Sequence, residues 1–80
     1  MTKDIINCFL FEKIKELTFA EVQFDEKIVT TRILDSINLV DLTVSIEEEY
    51  GVVIQTGDVI EENVDTINRL SNFILRKLNK

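Results

Sequence analysis

Apolar residues recur at three- and four-residue intervals from Thr2 to Leu17, where Ile6, Phe9, Leu10, Ile14 and Leu17 fall on one face and predict an amphipathic helix. The pattern loosens from Thr18 to Leu34. There, β-branched Val29, Thr30 and Thr31 mix with scattered Phe19, Val22, Phe24 and Ile28, which predicts a long ordered loop pinned by those side chains. Within it, Phe19 to Phe24 alternates well enough to imitate a strand. Helical periodicity returns over Ser36 to Tyr50 and stops at Gly51, a residue that adopts the left-handed conformation at little cost. Gly57 to Glu62 has room for one or two short helical turns. Thr66 to Leu78 sets Ile67, Leu70, Ile74 and Leu78 on one face, with Arg76, Lys77 and Lys80 near the C-terminal end, where cations complement the helix dipole. Proline is absent and glycine occurs only at 51 and 57, so turn-rich β architectures lack their punctuation. The expectation is an all-α fold, a small four-helix bundle with a long first loop and a short third helix.

Size and charge narrow the functional classes. Eighty residues fit one domain over 1–80 with one modest core, and few buried side chains can be spared for an enclosed catalytic pocket. The net charge of −6 argues against nucleic acid, whose phosphates require clustered Lys and Arg, and points to basic protein surfaces as partners. Cys8 is the only cysteine, which excludes an intramolecular disulfide and suits a reducing compartment. The apolar run Cys8 to Phe11 is too short for a signal segment or a membrane span. A cytoplasmic monomer is the expectation.

The second helix carries more apolar surface than one core contact requires. At about 100° per residue, Leu39, Leu42, Thr43, Ile46 and Tyr50 make a complete core-facing stripe. Ile37, Val40 and Val44 lie on a different arc, bracketed by Asp41 and Glu48 on one flank and Glu47 on the other. Either this helix is central and covered on both sides, or the second arc is an exposed docking strip in which charge steers a partner and the apolar centre supplies contact. Charge segregation favours the strip: Asp35 to Asp65 contains nine acids and no Lys or Arg, while the rest of the chain holds six acids and all nine bases.

Ser36 opens this acidic helix, and the chain contains no histidine to activate it as a nucleophile. A serine there is most simply an N-cap, but Asp35 can cap equally well. If Asp35 caps, the Ser36 hydroxyl is left at the positive end of the helix dipole, where an attached anion such as a phosphodiester is favoured.

The stretch from Leu34 to Val52, Leu-Asp-Ser-Ile-Asn-Leu-Val-Asp-Leu-Thr-Val-Ser-Ile-Glu-Glu-Glu-Tyr-Gly-Val, closely resembles the acyl carrier protein family. The likeness covers the whole chain in length, helix order and acidity. Its specific part is Asp35-Ser36-Ile37, the apolar spacing that follows, and Glu47-Glu48-Glu49-Tyr50. The resemblance implies that Ser36 carries 4′-phosphopantetheine, transferred from coenzyme A by a separate phosphopantetheinyl transferase. Acyl intermediates would be held on that arm as thioesters and shuttled between enzymes of fatty acid or specialised acyl or polyketide biosynthesis. It also implies that Asp35 presents the serine to the transferase, and that Ile37, Val40, Asp41, Val44, Glu47 and Glu48 dock the basic surfaces of acyl-loading and acyl-processing enzymes. The protein itself would not be an enzyme.

The chain departs from the pattern of fatty-acid carriers, Gly-x-Asp-Ser-Leu with an acid two residues after the serine. Ile33 and Leu34 precede Asp35, and Asn38 takes the acidic place. The later Glu62 to Ile67 resembles stand-alone carriers of specialised pathways. The main alternative is an unmodified acidic adaptor that binds basic proteins through the same strip.

Other constellations carry less. Cys8 reads as a buried structural thiol, since no histidine can form a thiolate pair with it. Asp35 to Asp41 fails the order of ligands required of a calcium loop. Glu47, Glu48 and Glu49 are consecutive and fan around the helix, so they cannot face one cleft as a catalytic pair.

Overall fold

The computed structural model describes residues Thr2 to Asn79; Lys80, placed by the sequence pattern near the end of the last helix, lies outside them, as does Met1. Four α-helices follow one another: α1 (Lys3–Thr18), α2 (Ser36–Tyr50), α3 (Glu61–Val64) and α4 (Ile67–Leu78), with a 3-10 turn at Thr56–Asp58. This is the expected all-helical bundle with its long first loop. The short helical segment differs from its predicted place at Gly57 to Glu62. It divides into the 3-10 turn and α3, because Asp58 caps backward onto the Gln55 N–H and Ile60 adopts an extended conformation that restarts the helix at Glu61.

Each long helix begins on a side-chain oxygen that accepts from a free amide of the first turn. Thr2 caps α1 through the Ile5 N–H, Asp35 caps α2 through the Asn38 N–H, and Thr66 caps α4 through the Arg69 N–H. Gly51 ends α2 in the left-handed region (φ 70°), donating its N–H to the Glu47 carbonyl. Phe19 ends α1 in the same conformation (φ 61°) without the freedom of glycine.

The core gathers Ile6, Leu10 and Ile14 from α1, Leu39, Leu42 and Ile46 from α2, Val64 from α3, and Ile67, Leu70 and Ile74 from α4. Helix α1 packs on α2 and α4, and α3 lies on α4. Arg69 Nη1 donates to the Glu61 carbonyl at 3.2 Å and Arg76 Nη2 to Asn63 Oδ1 at 3.1 Å, which fastens α3 from its neighbour. A polar seam crosses the apolar interface of α1 and α4. Buried Ser71 donates to the Asn7 side chain, whose amide donates to Asn68 Oδ1, and Asn68 in turn donates to Asp25 of the long loop.

Several expected positions move. Cys8 is exposed, not buried: it is about 200° around α1 from both Ile6 and Leu10, so the same rotation that buries those residues turns the thiol outward. Phe9 and Leu17 are half-buried at the margin of the α1 face, Phe9 meeting Tyr50 edge-on at 5.2 Å. Leu78 is exposed where α4 runs past the core, and Phe73 is buried in addition to the expected face. In the long loop, Val22 and Ile28 are the pins, joined by Leu34. Phe19 is 92% exposed and pins nothing, and Phe19 to Phe24 forms no strand.

Candidate functional site

The start of α2 is built from the loop upward. Leu34 donates its N–H to the Ile28 carbonyl at 2.7 Å, closing a compact turn in which Arg32 N–H reaches the Val29 carbonyl at 3.0 Å with Arg32 in the left-handed region (φ 64°). The closure drives the Leu34 side chain into the core. Leu34 precedes the cap and Leu39 is the fourth helical residue; both are buried in the same cluster, the arrangement of a hydrophobic staple that fixes how the chain enters a helix.

Asp65 holds this loop from the far side. Its Oδ1 accepts from the N–H groups of Val29 (2.9 Å) and Thr30 (3.0 Å), its Oδ2 from the Thr30 hydroxyl (2.9 Å), and its carbonyl from the Ile28 N–H (2.8 Å). Burial alone would push its carboxyl upward. The hydrogen bonds from Thr30 and Val29, helped by the charge of Lys27, outweigh that and hold it below the ordinary aspartate value. From the sequence, Asp65 is simply the last of the nine acids in the run from Asp35. In the fold it is fully buried, and nothing in the residues around it marks it apart from the other acids of the run.

The competition for the α2 cap is resolved in favour of Asp35, whose Oδ1 accepts from Asn38 N–H at 2.7 Å. Ser36 is therefore the first residue of the helix itself. The chain has three serines, and their hydroxyls differ in commitment. Ser45 donates to the Asp41 carbonyl and Ser71 is buried against Asn7, whereas Ser36 is exposed and its hydroxyl has no partner among the described residues.

Two surface depressions meet at Ser36. One, of about 410 Å³, is walled by Val29, Thr30, Arg32, Leu34 and Asp35. The other, of about 270 Å³, runs between α2 and the 3-10 turn, walled by Val40, Thr43, Ile54 and Val59. Leu39 belongs to both walls and forms the ridge between them. A phosphodiester on Ser36 Oγ fits this setting: the oxygen faces solvent, the first free amides of α2 lie beside it, and no side chain obstructs its approach by hydrogen bonding.

Beyond the serine, the second arc of α2 is bare. Ile37 is 73% exposed, Val40 59% and Val44 48%, with Asp41, Glu47 and Glu48 exposed around them. The alternative in which this helix is covered on both sides is excluded. Every one of the eight residues singled out from the sequence lies on the outer surface of α2 or at its start. Arg32, Thr30 and Asp65 were missed. Asp35→Ala should cost about 1 kcal/mol of stability through loss of the cap, and Asp35→Asn no more than a few tenths because asparagine caps as well; urea unfolding of the two variants checks this.

Among the described residues, no group of three or more His, Cys, Asp or Glu side chains is placed to hold a metal ion, and no helix is long and apolar enough to cross a membrane.

Residues 34–74 match the family model described as a phosphopantetheine attachment site. Over 99% of its length the chain is 37% identical to an acyl carrier protein of Petrotoga mobilis, covering 94% of that protein. Over 86% of its length it is 30% identical to an acyl carrier protein of Thermotoga maritima, covering 91% of it.

Proposed function

The chain belongs to the acyl carrier protein family, and on that premise we propose that Ser36 is the residue that accepts 4′-phosphopantetheine from coenzyme A. Members of this family are carriers and not enzymes, and the matched region is a phosphopantetheine attachment domain. When attached, the arm supplies a thiol on which acyl groups are held as thioesters. The observation that carries the assignment is the Ser36 hydroxyl, exposed and uncommitted at the head of α2.

Attachment requires the Ser36 oxygen to bond to the phosphorus of the pantetheinyl phosphate while the bond from that phosphorus to adenosine 3′,5′-bisphosphate breaks and the hydroxyl proton departs. Nothing in the chain is suited to take that proton. Histidine is absent, and the Asp35 carboxylate is turned toward the Asn38 amide. The base therefore comes from a phosphopantetheinyl transferase, and the role of this chain is presentation: Leu34 and Leu39 fix the helix entry, Asp35 caps it, and Asp65 steadies the loop.

The exposed strip of Ile37, Val40 and Val44, with Asp41, Glu47 and Glu48 at its edges, is the docking surface for the transferase and for acyl-loading and acyl-processing enzymes with basic faces. Those enzymes belong to fatty acid or specialised acyl biosynthesis in the cytoplasm. Apolar contact at the centre supplies adhesion and the carboxylate rim supplies steering. Glu47→Lys with Glu48→Lys should weaken transferase binding on the order of tenfold and flatten its salt dependence, with far-UV circular dichroism unchanged. Titrations at low and high salt check this, and unaltered affinity would remove the rim from the docking surface.

The test of the assignment is to incubate the protein with coenzyme A and a promiscuous phosphopantetheinyl transferase and read its intact mass. One added phosphopantetheinyl group is the expected result. No gain would leave the acidic adaptor as the better reading.

A further inference from the structure

We infer that Arg32 is a positioning residue for the phosphodiester borne on Ser36, pairing with its negative charge and holding the base of the arm over the larger depression. This rests on Ser36 being the attachment point.

The chain has three arginines, and two are spoken for. Arg69 holds the Glu61 carbonyl; Arg76 holds Asn63 and lies over the Phe73 ring at 5.8 Å from its centroid. The Arg32 guanidinium makes no ion pair, hydrogen bond or aromatic contact among the described residues, yet it forms part of the same wall as Asp35 and Ser36. It is exposed, four residues from the serine, at a turn that its own backbone closes in a conformation disfavoured for residues with a side chain. A side chain makes that conformation sterically costly. The Asp65 hydrogen bonds to Val29 and Thr30 hold the turn in place, so the guanidinium is mounted on a fixed support.

Charge around the serine supports the pairing. Among the described residues, Arg32 and Asp35 are the only charged ones lining the two depressions that meet at Ser36, and the position two residues after the serine is the neutral Asn38. The charged residues on the outer face of α2 beyond it, Asp41, Glu47, Glu48 and Glu49, are all acidic. A phosphodiester carries one negative charge on two free oxygens, the geometry that a guanidinium fork matches with two parallel N–H donors. Arg32 is thus the one cation that shares a wall with the serine among the described residues.

The test uses holo protein, with full conversion at Ser36 verified by intact mass before any other reading. In wild type, the Arg32 side-chain Nε–H resonance should shift between apo and holo forms while those of Arg69 and Arg76 stay in place. The phosphorus-31 shift of the wild-type phosphodiester should differ from that of Arg32→Gln at about 0.01 M salt and converge with it at about 1 M, where the screening length falls to about 3 Å. Arg32→Lys should restore part of the difference, as a point charge without the fork. A fully converted wild type with an unmoved Arg32 resonance, and a phosphorus shift identical to that of Arg32→Gln at low salt, would overturn the proposal. The Nε–H comparison needs no substitution, so misfolding of a variant does not shelter it. Failure of wild type to gain the group at all would instead overturn the assignment of Ser36 and carry this inference with it.

Discussion

Ser36→Ala should abolish the mass gain from coenzyme A and transferase completely, whereas Ser45→Ala should gain the group as wild type does. The contrast follows from what each hydroxyl already does. Ser45 spends its proton on the Asp41 carbonyl one helical turn back and is half-buried in the middle of α2, away from the helix start and its free amides. Ser36 has the opposite situation because Asp35 has taken the capping role from it. The variant should fold: alanine is well tolerated inside a first turn, the cap is unaffected, and no hydrogen bond is lost among the described residues. An unmodified Ser36→Ala chain with a native melting profile would locate the attachment oxygen. Modification persisting in that variant would move the site elsewhere.

The largest effect on stability should come from Asp65→Ala. Three donors of the loop, the N–H groups of Val29 and Thr30 and the Thr30 hydroxyl, converge on a carboxylate with no solvent exposure. Hydrogen bonds to a charged acceptor contribute more than neutral ones, and donors left unpaired in a partly buried setting add their desolvation cost, so a loss of roughly 3 kcal/mol is expected. Asp65→Asn keeps one acceptor oxygen and should lose about half of that. Acid supplies an independent reading of the same contacts. The folded-state value of Asp65 lies below the ordinary aspartate value of about 3.9, so its contribution is complete above that pH and is lost as pH falls through the lowered value. The stability difference between wild type and Asp65→Asn should therefore shrink as pH is lowered below about 4. Urea unfolding at neutral and acidic pH measures it, and a constant difference would mean that the carboxylate charge plays no part.

Much of this was legible in the residues. The periodicity of α1, α2 and α4 marked their extents to within a residue or two, and the unexplained Ile37, Val40 and Val44 arc anticipated the bare face of α2. The attachment candidate stood out through the family resemblance of Asp35-Ser36-Ile37 and the helix that follows, since a serine at a helix start reads by itself most simply as a cap. What escaped was tertiary in origin. Asp65 carries the same charge as its exposed acidic neighbours, and only the folding-back of Val29 and Thr30, 36 and 35 residues earlier, makes it an interior anchor. Phe19 and Cys8 were misjudged for a related reason: apolar character draws a side chain inward only if the local geometry aims it there. The left-handed end of α1 and the rotation of that helix aim both outward. The loop residues that position Ser36 were invisible because loops announce their ends by periodicity lost and say little of what they grip.

Both clasps on the long loop reach into the last third of the chain: Asp25 meets Asn68, and Val29 and Thr30 meet Asp65. The serine thus inherits its position from sequence translated well after it. A ribosome that has finished α2 has produced the attachment motif but not its foundation, and the scaffold around the hydroxyl can set only after α4 has emerged and docked. On the proposed attachment at Ser36, competence to receive the arm would thus be timed by the docking of α4, through residues 29 or more positions downstream of the serine.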